Sequence, residues 1–142
     1  MAEYTATALQ TVDADQNILF TETPVPCRQG YVVHREGSGV FTLRGITKDC
    51  AAIYRIEFNA NIAVPDGGDV APISVALAID GEQLQSSLAI FTPAAAGDFG
   101  NVTVFAIVRV PRGCCVHVAV ENATTPDAPI DVANANIEIT RI

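Results

Sequence analysis

The stretch Cys50-Ala51-Ala52-Ile53-Tyr54-Arg55-Ile56-Glu57-Phe58-Asn59-Ala60-Asn61-Ile62-Ala63-Val64 decides the fold class. Ala52, Tyr54, Ile56, Phe58, Ala60 and Ile62 share one parity, and Arg55, Glu57, Asn59 and Asn61 share the other. A period of two over this length is a half-buried strand. Downstream, Pro65-Asp66-Gly67-Gly68-Asp69 breaks the pattern, and Ile73, Val75, Leu77 and Ile79 then alternate with Ser74, Ala76, Ala78 and Asp80. Asp80-Gly81 is a hairpin signal because both residues tolerate positive φ. The turn makes Leu84 to Phe91 the return strand, although Leu84, Leu88 and Phe91 also fit a helical spacing.

After a small-residue loop from Pro93 to Gly100, Asn101 to Val110 is apolar at both parities, which predicts a strand covered on both sides. Pro111-Arg112-Gly113 turns the chain into Cys115 to Val120, and a last strand runs from Ile130 to Ile142. Upstream, Ala6 to Val12, Asn17 to Phe20, Gly30 to His34 and Val40 to Arg44 read as short strands between Pro24, Pro26, Gly37 and Gly39. About ten antiparallel strands without a helix make residues 1–142 a single all-β sandwich or jelly roll.

The chain has 142 residues, of which 49% are hydrophobic. That suffices for one core without a metal or disulfide. Eight basic residues, seven of them arginines scattered along the chain, stand against sixteen acidic ones, for a net charge of −8. This balance argues against binding to nucleic acid or to anionic membranes. A charged fraction of 17% is below the usual quarter or so, which points to surface covered by another subunit. No basic, apolar leader opens the sequence and no apolar run reaches membrane-span length. A cytosolic origin follows, and it favours free thiols at Cys27, Cys50, Cys114 and Cys115.

Catalytic constellations are missing. There is no phosphate loop, no HExxH and no paired CxxC, and Gly37-Ser38-Gly39 lacks the setting of a nucleophile elbow. No catalytic residue and no cofactor is assigned. His34 and His117 each fall within a strand pattern, where a surface or interface role outweighs a base or ligand role. Cys114 shares the parity of Val116 and Val118, hence an inward position, whereas Cys115 faces with His117. Cys115, His117 and Cys27 or Cys50 form a conceivable zinc set without zinc-finger spacing, and packed thiols or a Cys27–Cys50 disulfide compete with it. Asp66 and Asp69 either offer oxygens to calcium or form a solvated turn. Asn101-Val102-Thr103 and Asn122-Ala123-Thr124 match glycosylation sequons, which need an export route to be used.

The order of pieces resembles the TNF-like jelly roll. It comprises a short double strand, Gly45 closing Val40 to Arg44, the Tyr54-Arg55-Ile56-Glu57-Phe58 strand, the Ala78-Ile79-Asp80-Gly81 hairpin, the Val104 to Val110 strand and Asn136-Ile137-Glu138-Ile139. Tumour necrosis factor, complement globular heads and spore-surface collagen-like glycoproteins have this fold. His34-Arg35-Glu36-Gly37-Ser38-Gly39, Leu43-Arg44-Gly45, Asn61-Ile62-Ala63-Val64-Pro65 and Val110-Pro111-Arg112-Gly113-Cys114-Cys115 are similar to strings in small stand-alone proteins of tailed phages and prophages. The resemblance implies a homotrimer packed around a threefold axis through its inner sheet. No collagen or coiled-coil stalk precedes the domain, which implies direct attachment to a partner.

Parity then singles out interface residues. Val104, Ala106 and Val108 claim the core, so Phe105 and Ile107 need cover from a neighbouring subunit. Arg109 and Glu57, on the same outward faces, are expected to pair within or between subunits. The expected function is a non-enzymatic phage virion protein, a capsid decoration, head-fibre or fibre-tip module, made in the host cytoplasm and contacting other virion proteins. The alternative is a trimeric adhesin in which loops near Asp66, Phe99 or Asp127 bind a host-surface carbohydrate or receptor.

Overall fold

The computed structural model describes residues 1–142. Twelve strands run in chain order: β1 (Ala2–Ala6), β2 (Gln10–Val12), β3 (Glu22–Val25), β4 (Val32–His34), β5 (Phe41–Arg44), β6 (Ala51–Ala63), β7 (Ile73–Ile79), β8 (Glu82–Gln83), β9 (Ala89–Phe91), β10 (Gly100–Pro111), β11 (Cys115–Asn122) and β12 (Ile130–Arg141). The one helical element is a 3-10 turn at Gln85–Ser87. One sheet has the order β10-β6-β12-β1-β3, with β2 also on β12, and the other has β4-β5-β11-β7-β8, with β9 also on β7. All pairings are antiparallel.

The first sheet is built on β6, which carries the deciding stretch. Tyr54, Ile56, Phe58 and Ile62 are fully buried and meet Phe20, Phe41, Leu43, Leu77 and Val118 between the sheets. The aromatic residues pack tilted or edge-on, with the Phe20 and Phe41 ring centroids 5.3 Å apart, the arrangement that ring quadrupoles favour. Asp80 and Gly81 take φ of 52° and 84°, as the hairpin requires.

Several sequence expectations are corrected. Within the protomer β7 is the strand buried at both parities, from Ile73 to Ala78, whereas Phe105 and Ile107 of β10 face outward. Ser74, Ala76 and Ala78 are small enough to be covered between β11 on one side and β8 and β9 on the other. The Leu84 to Phe91 return strand is interrupted because the Ser87 hydroxyl takes the Leu77 N–H at 3.0 Å and itself donates to Leu84 O at 2.6 Å. That side chain substitutes for a ladder partner and lets the 3-10 turn form.

Ala6 to Val12 is likewise two strands. β12 bulges at Asn134, whose φ is 54°, and there its partner changes from β1 to β2. Asn17 to Phe20 stays outside the ladders except for the Asn17 bridge to Glu121. The Gln10 side-chain amide satisfies both backbone groups of Leu19, at 3.0 Å each. β3 carries Pro24 but is a sheet edge, where a proline costs no ladder bond.

Candidate functional site

The outward face of the first sheet is the candidate site. β10 forms its edge over twelve residues, long for an uncovered edge. Phe105 and Ile107 are 52% and 57% exposed on it. Register places Phe105 opposite Glu57, Ile107 opposite Arg55, and Arg109 opposite Ile53. All four candidate interface residues therefore lie on one face. The expected Arg109–Glu57 pair does not form within the protomer, because Glu57 is engaged by Arg55, with Nε to Oε1 at 3.5 Å. Arg109 sits four residues further along β10 than Glu57's partner Phe105, too far along the ladder to compete. Arg55 and Ile53 were not among the predicted interface residues, although their parity with Glu57 marks them.

Higher on the same face, asparagines form a polar ladder. Asn101 Nδ2 donates to Asn59 Oδ1 at 2.6 Å and to Asn61 Oδ1 at 3.2 Å, and Asn61 Nδ2 donates to Asn134 Oδ1 at 3.1 Å. Of the two sequon asparagines, Asn101 is thus exposed but occupied, and Asn122 is fully buried. Asn122 Nδ2 donates to Val12 O and Ala128 O, while its Oδ1 accepts from Thr124 N, so it holds a loop instead of displaying an amide.

A cleft of about 490 Å³ opens beside that loop, between the β6–β7 and β11–β12 connections. Asp66, Asp69 and Asp127 line it together with Pro72 and Pro126. Phe99 does not line it. No cluster of three or more His, Cys, Asp or Glu has a metal-binding arrangement.

The histidines lie apart. His34 on β4 stacks on Phe41, with centroids 4.3 Å apart, and its Nε2 donates to Ser38 O at 2.9 Å. His117 on β11 meets Thr42 Oγ1 at 3.1 Å. Phe41 and Thr42 point to opposite faces of β5, so the sheet separates the two imidazoles. All four thiols are free, and Cys114 is exposed instead of inward because it lies in the turn ahead of β11, where strand parity no longer applies. Burial raises the Cys27 thiol pKa, but the surrounding N–H groups of Val32, Gln29, Tyr31 and Gly30 favour the thiolate and bring it below its ordinary value.

Two sheets in this strand order define a TNF/C1q-like jelly-roll sandwich. The chain is similar to the globular domain of zebrafish complement 1qA protein, with a TM-score of 0.69 at 12% identity over 99% of this chain and 95% of that one. Eiger TNF from S. frugiperda gives 0.69 at 14% identity, over 99% and 90% of the two chains. Murine APRIL at pH 5.0 gives 0.59 at 8% identity, over 96% of each. No protein-family model matches the sequence, and no curated protein matches it.

Proposed function

We propose that this protein is a non-enzymatic structural component of a bacteriophage virion, made in the host cytoplasm and acting as a homotrimer that decorates the capsid or forms a head-fibre or fibre-tip module. The observation that carries the trimer is the uncovered pair Phe105 and Ile107 on the long edge strand β10, next to Ile53 and Arg55. Apolar side chains on a sheet face without a covering layer mark an interaction surface, and closed rotational symmetry is the usual way to cover it. Covering the exposed half of each ring or branched chain contributes roughly 1 kcal/mol per side chain. Arg109, left without an intrachain carboxylate, is available to Glu57 of a neighbouring copy. The virion assignment rests on the phage-like strings around His34, Gly45, Pro65 and Pro111.

Light scattering is expected to give about three times the 14.9 kDa protomer mass. Phe105→Asp would bury an unpaired carboxylate at the interface, and a monomer or unfolded chain is the expected result. An unaffected trimer would remove Phe105 from the interface. Virions purified on a density gradient should contain the protein, in multiples of three per site for a decoration and in few copies for a fibre tip. Its absence from particles would overturn the virion role. The cleft bearing Asp66 and Asp127 favours a second reading, an adhesin binding a host-surface glycan through carboxylate acceptors. Saturable binding of cell-wall sugars that is lost in Asp127→Ala would support it.

A further inference from the structure

The net charge of −8 conceals a polarity. Antiparallel strands send successive connections to alternate ends of the sandwich. The end where β6 starts and β10 finishes gathers Arg28, Arg44, Lys48, Arg109, Arg112 and Arg141. Asp49 is anionic there, and the β7–β8 hairpin directs Asp80 and Glu82 toward the same end, so the cations remain in excess. The opposite end carries Asp13 and Asp15 after β2, Asp66 and Asp69 after β6, Asp98 before β10, Asp127 before β12 and Asp131 on it, with Arg35 of the β4–β5 turn, next to Glu36, as the one cation directed that way. Twelve residues of β10 span about 40 Å. That exceeds the Debye length of about 8 Å at physiological salt several-fold, so the poles do not neutralise each other within one molecule.

The basic pole is preorganised. The single ion pair of the protein, Arg55–Glu57, lies outside it. Arg44 Nη1 donates to Gly30 O at 3.3 Å, Arg112 Nη1 to Lys48 O at 3.4 Å and Arg141 Nη1 to Ile46 O at 2.8 Å. Arg141 also lies over the Tyr31 ring, 4.7 Å from its centroid. One nitrogen of each fork is thereby fixed and others stay open to carboxylates, which guanidinium binds in a planar, directional way. Ile46 and Ile142, 42% and 66% exposed, stand among these cations, and arginine mixed with aliphatic surface suits a protein partner. The aspartate pole likewise exposes Val70 and Phe99.

We infer that the two poles are complementary docking surfaces, and that copies stack end to end with the basic pole of one on the aspartate pole of the next. Such a contact is heterologous and does not close, so it builds linear arrays. The inference deepens the virion reading, favouring a fibre over isolated decorations, but the contact itself needs only the protomer. Lateral association through the outer face of β6 and β10, about an axis along the strands, leaves both poles free and triples the contacts in each step.

Sedimentation velocity across a concentration series tests this. In about 50 mM NaCl the wild type should form arrays larger than its basic unit, and the weight-average mass should fall at least about twofold in about 500 mM NaCl. Arg28→Glu/Arg44→Glu/Arg112→Glu, which makes both poles acidic, and Asp13→Lys/Asp66→Lys/Asp69→Lys/Asp98→Lys/Asp127→Lys, which makes both poles basic, should each stay at the basic unit. An equimolar mixture should associate again, because each interface then joins opposite charges. Ile107→Ser, which keeps the core face of β10, should reduce the basic unit while leaving salt-sensitive stacking, which separates failure of the trimer from failure of the stack. A wild type without arrays at low salt, or a mixture that does not associate, overturns the inference. Binding of poly-L-glutamate by a wild type that does not self-associate overturns it in favour of a foreign acidic partner.

Discussion

Asn122 illustrates how a single side chain holds the candidate glycan cleft in shape. Its amide closes three hydrogen bonds to backbone at zero exposure, and leucine there would leave those groups without partners. Asn122→Leu is expected to cost about 3 kcal/mol in a urea titration, since each orphaned buried group costs about 1–3 kcal/mol and the loop relaxes partly. Tyr54 is a second such residue, with Oη donating to Arg44 O at 2.6 Å. Burial pushes its pKa up, against a downward pull from Arg141, and burial together with the Cys27 charge raises Tyr4 to about 12. A phenol whose folded pKa is raised contributes stability that is complete below its unfolded value near 10 and lost as pH rises through the folded value. The urea midpoint should therefore hold to about pH 9 and fall from about pH 10 upward, and Tyr4→Phe should reduce that alkaline loss with little effect at neutral pH. The sequence identified Tyr54 as a core residue, but it contained no sign of its hydroxyl's partner, which arrives from the end of β5.

At the scale of elements, alternation was legible wherever a strand had one wet face. The inward residues of β6 and β10 were assigned from parity alone, and so were Phe105 and Ile107 as outward residues. Failures occurred where a side chain replaced a ladder bond, as Gln10 does for Leu19 and Ser87 for Leu77, because periodicity reports only burial. β7 was read as half-wet because its second parity is serine and alanine, residues that occur in both settings. Gly45 marks another contact invisible in one dimension. It joins β5 to the β10–β11 turn through Gly45 N to Cys114 O at 2.8 Å, and a Cβ there would stand 2.1 Å from Pro111 O. Since backbone must move to admit it, Gly45→Ala is expected to lower stability by roughly 1–3 kcal/mol, read as a shift in the urea midpoint. Gly37→Ala places a Cβ in open space and should cost only the strain of its positive φ.

For the whole molecule, the all-β sandwich followed from strand patterns, and the jelly-roll order followed from a resemblance matched by the solved folds. The charge polarity did not, because each pole is assembled from connections far apart in sequence, so six cations of one surface look scattered along the chain. Counting turns would have revealed it, since alternate connections of antiparallel strands share an end. The candidate interface couples these scales. If Phe105 and Ile107 are covered by neighbouring copies, assembly stabilises the folded state by mass action, and the thermal midpoint must rise with protein concentration. The rise should be nearly independent of salt, because apolar burial provides the drive, whereas pole-to-pole stacking vanishes in salt. Ile107→Ser keeps the β10 backbone and core face, exchanges only the outward side chain, and should lower the midpoint at high concentration more than at low. A midpoint that does not vary with concentration in the wild type would show that the outer face of β6 and β10 contributes nothing to assembly, and the exposed pair would then need a partner of a different kind.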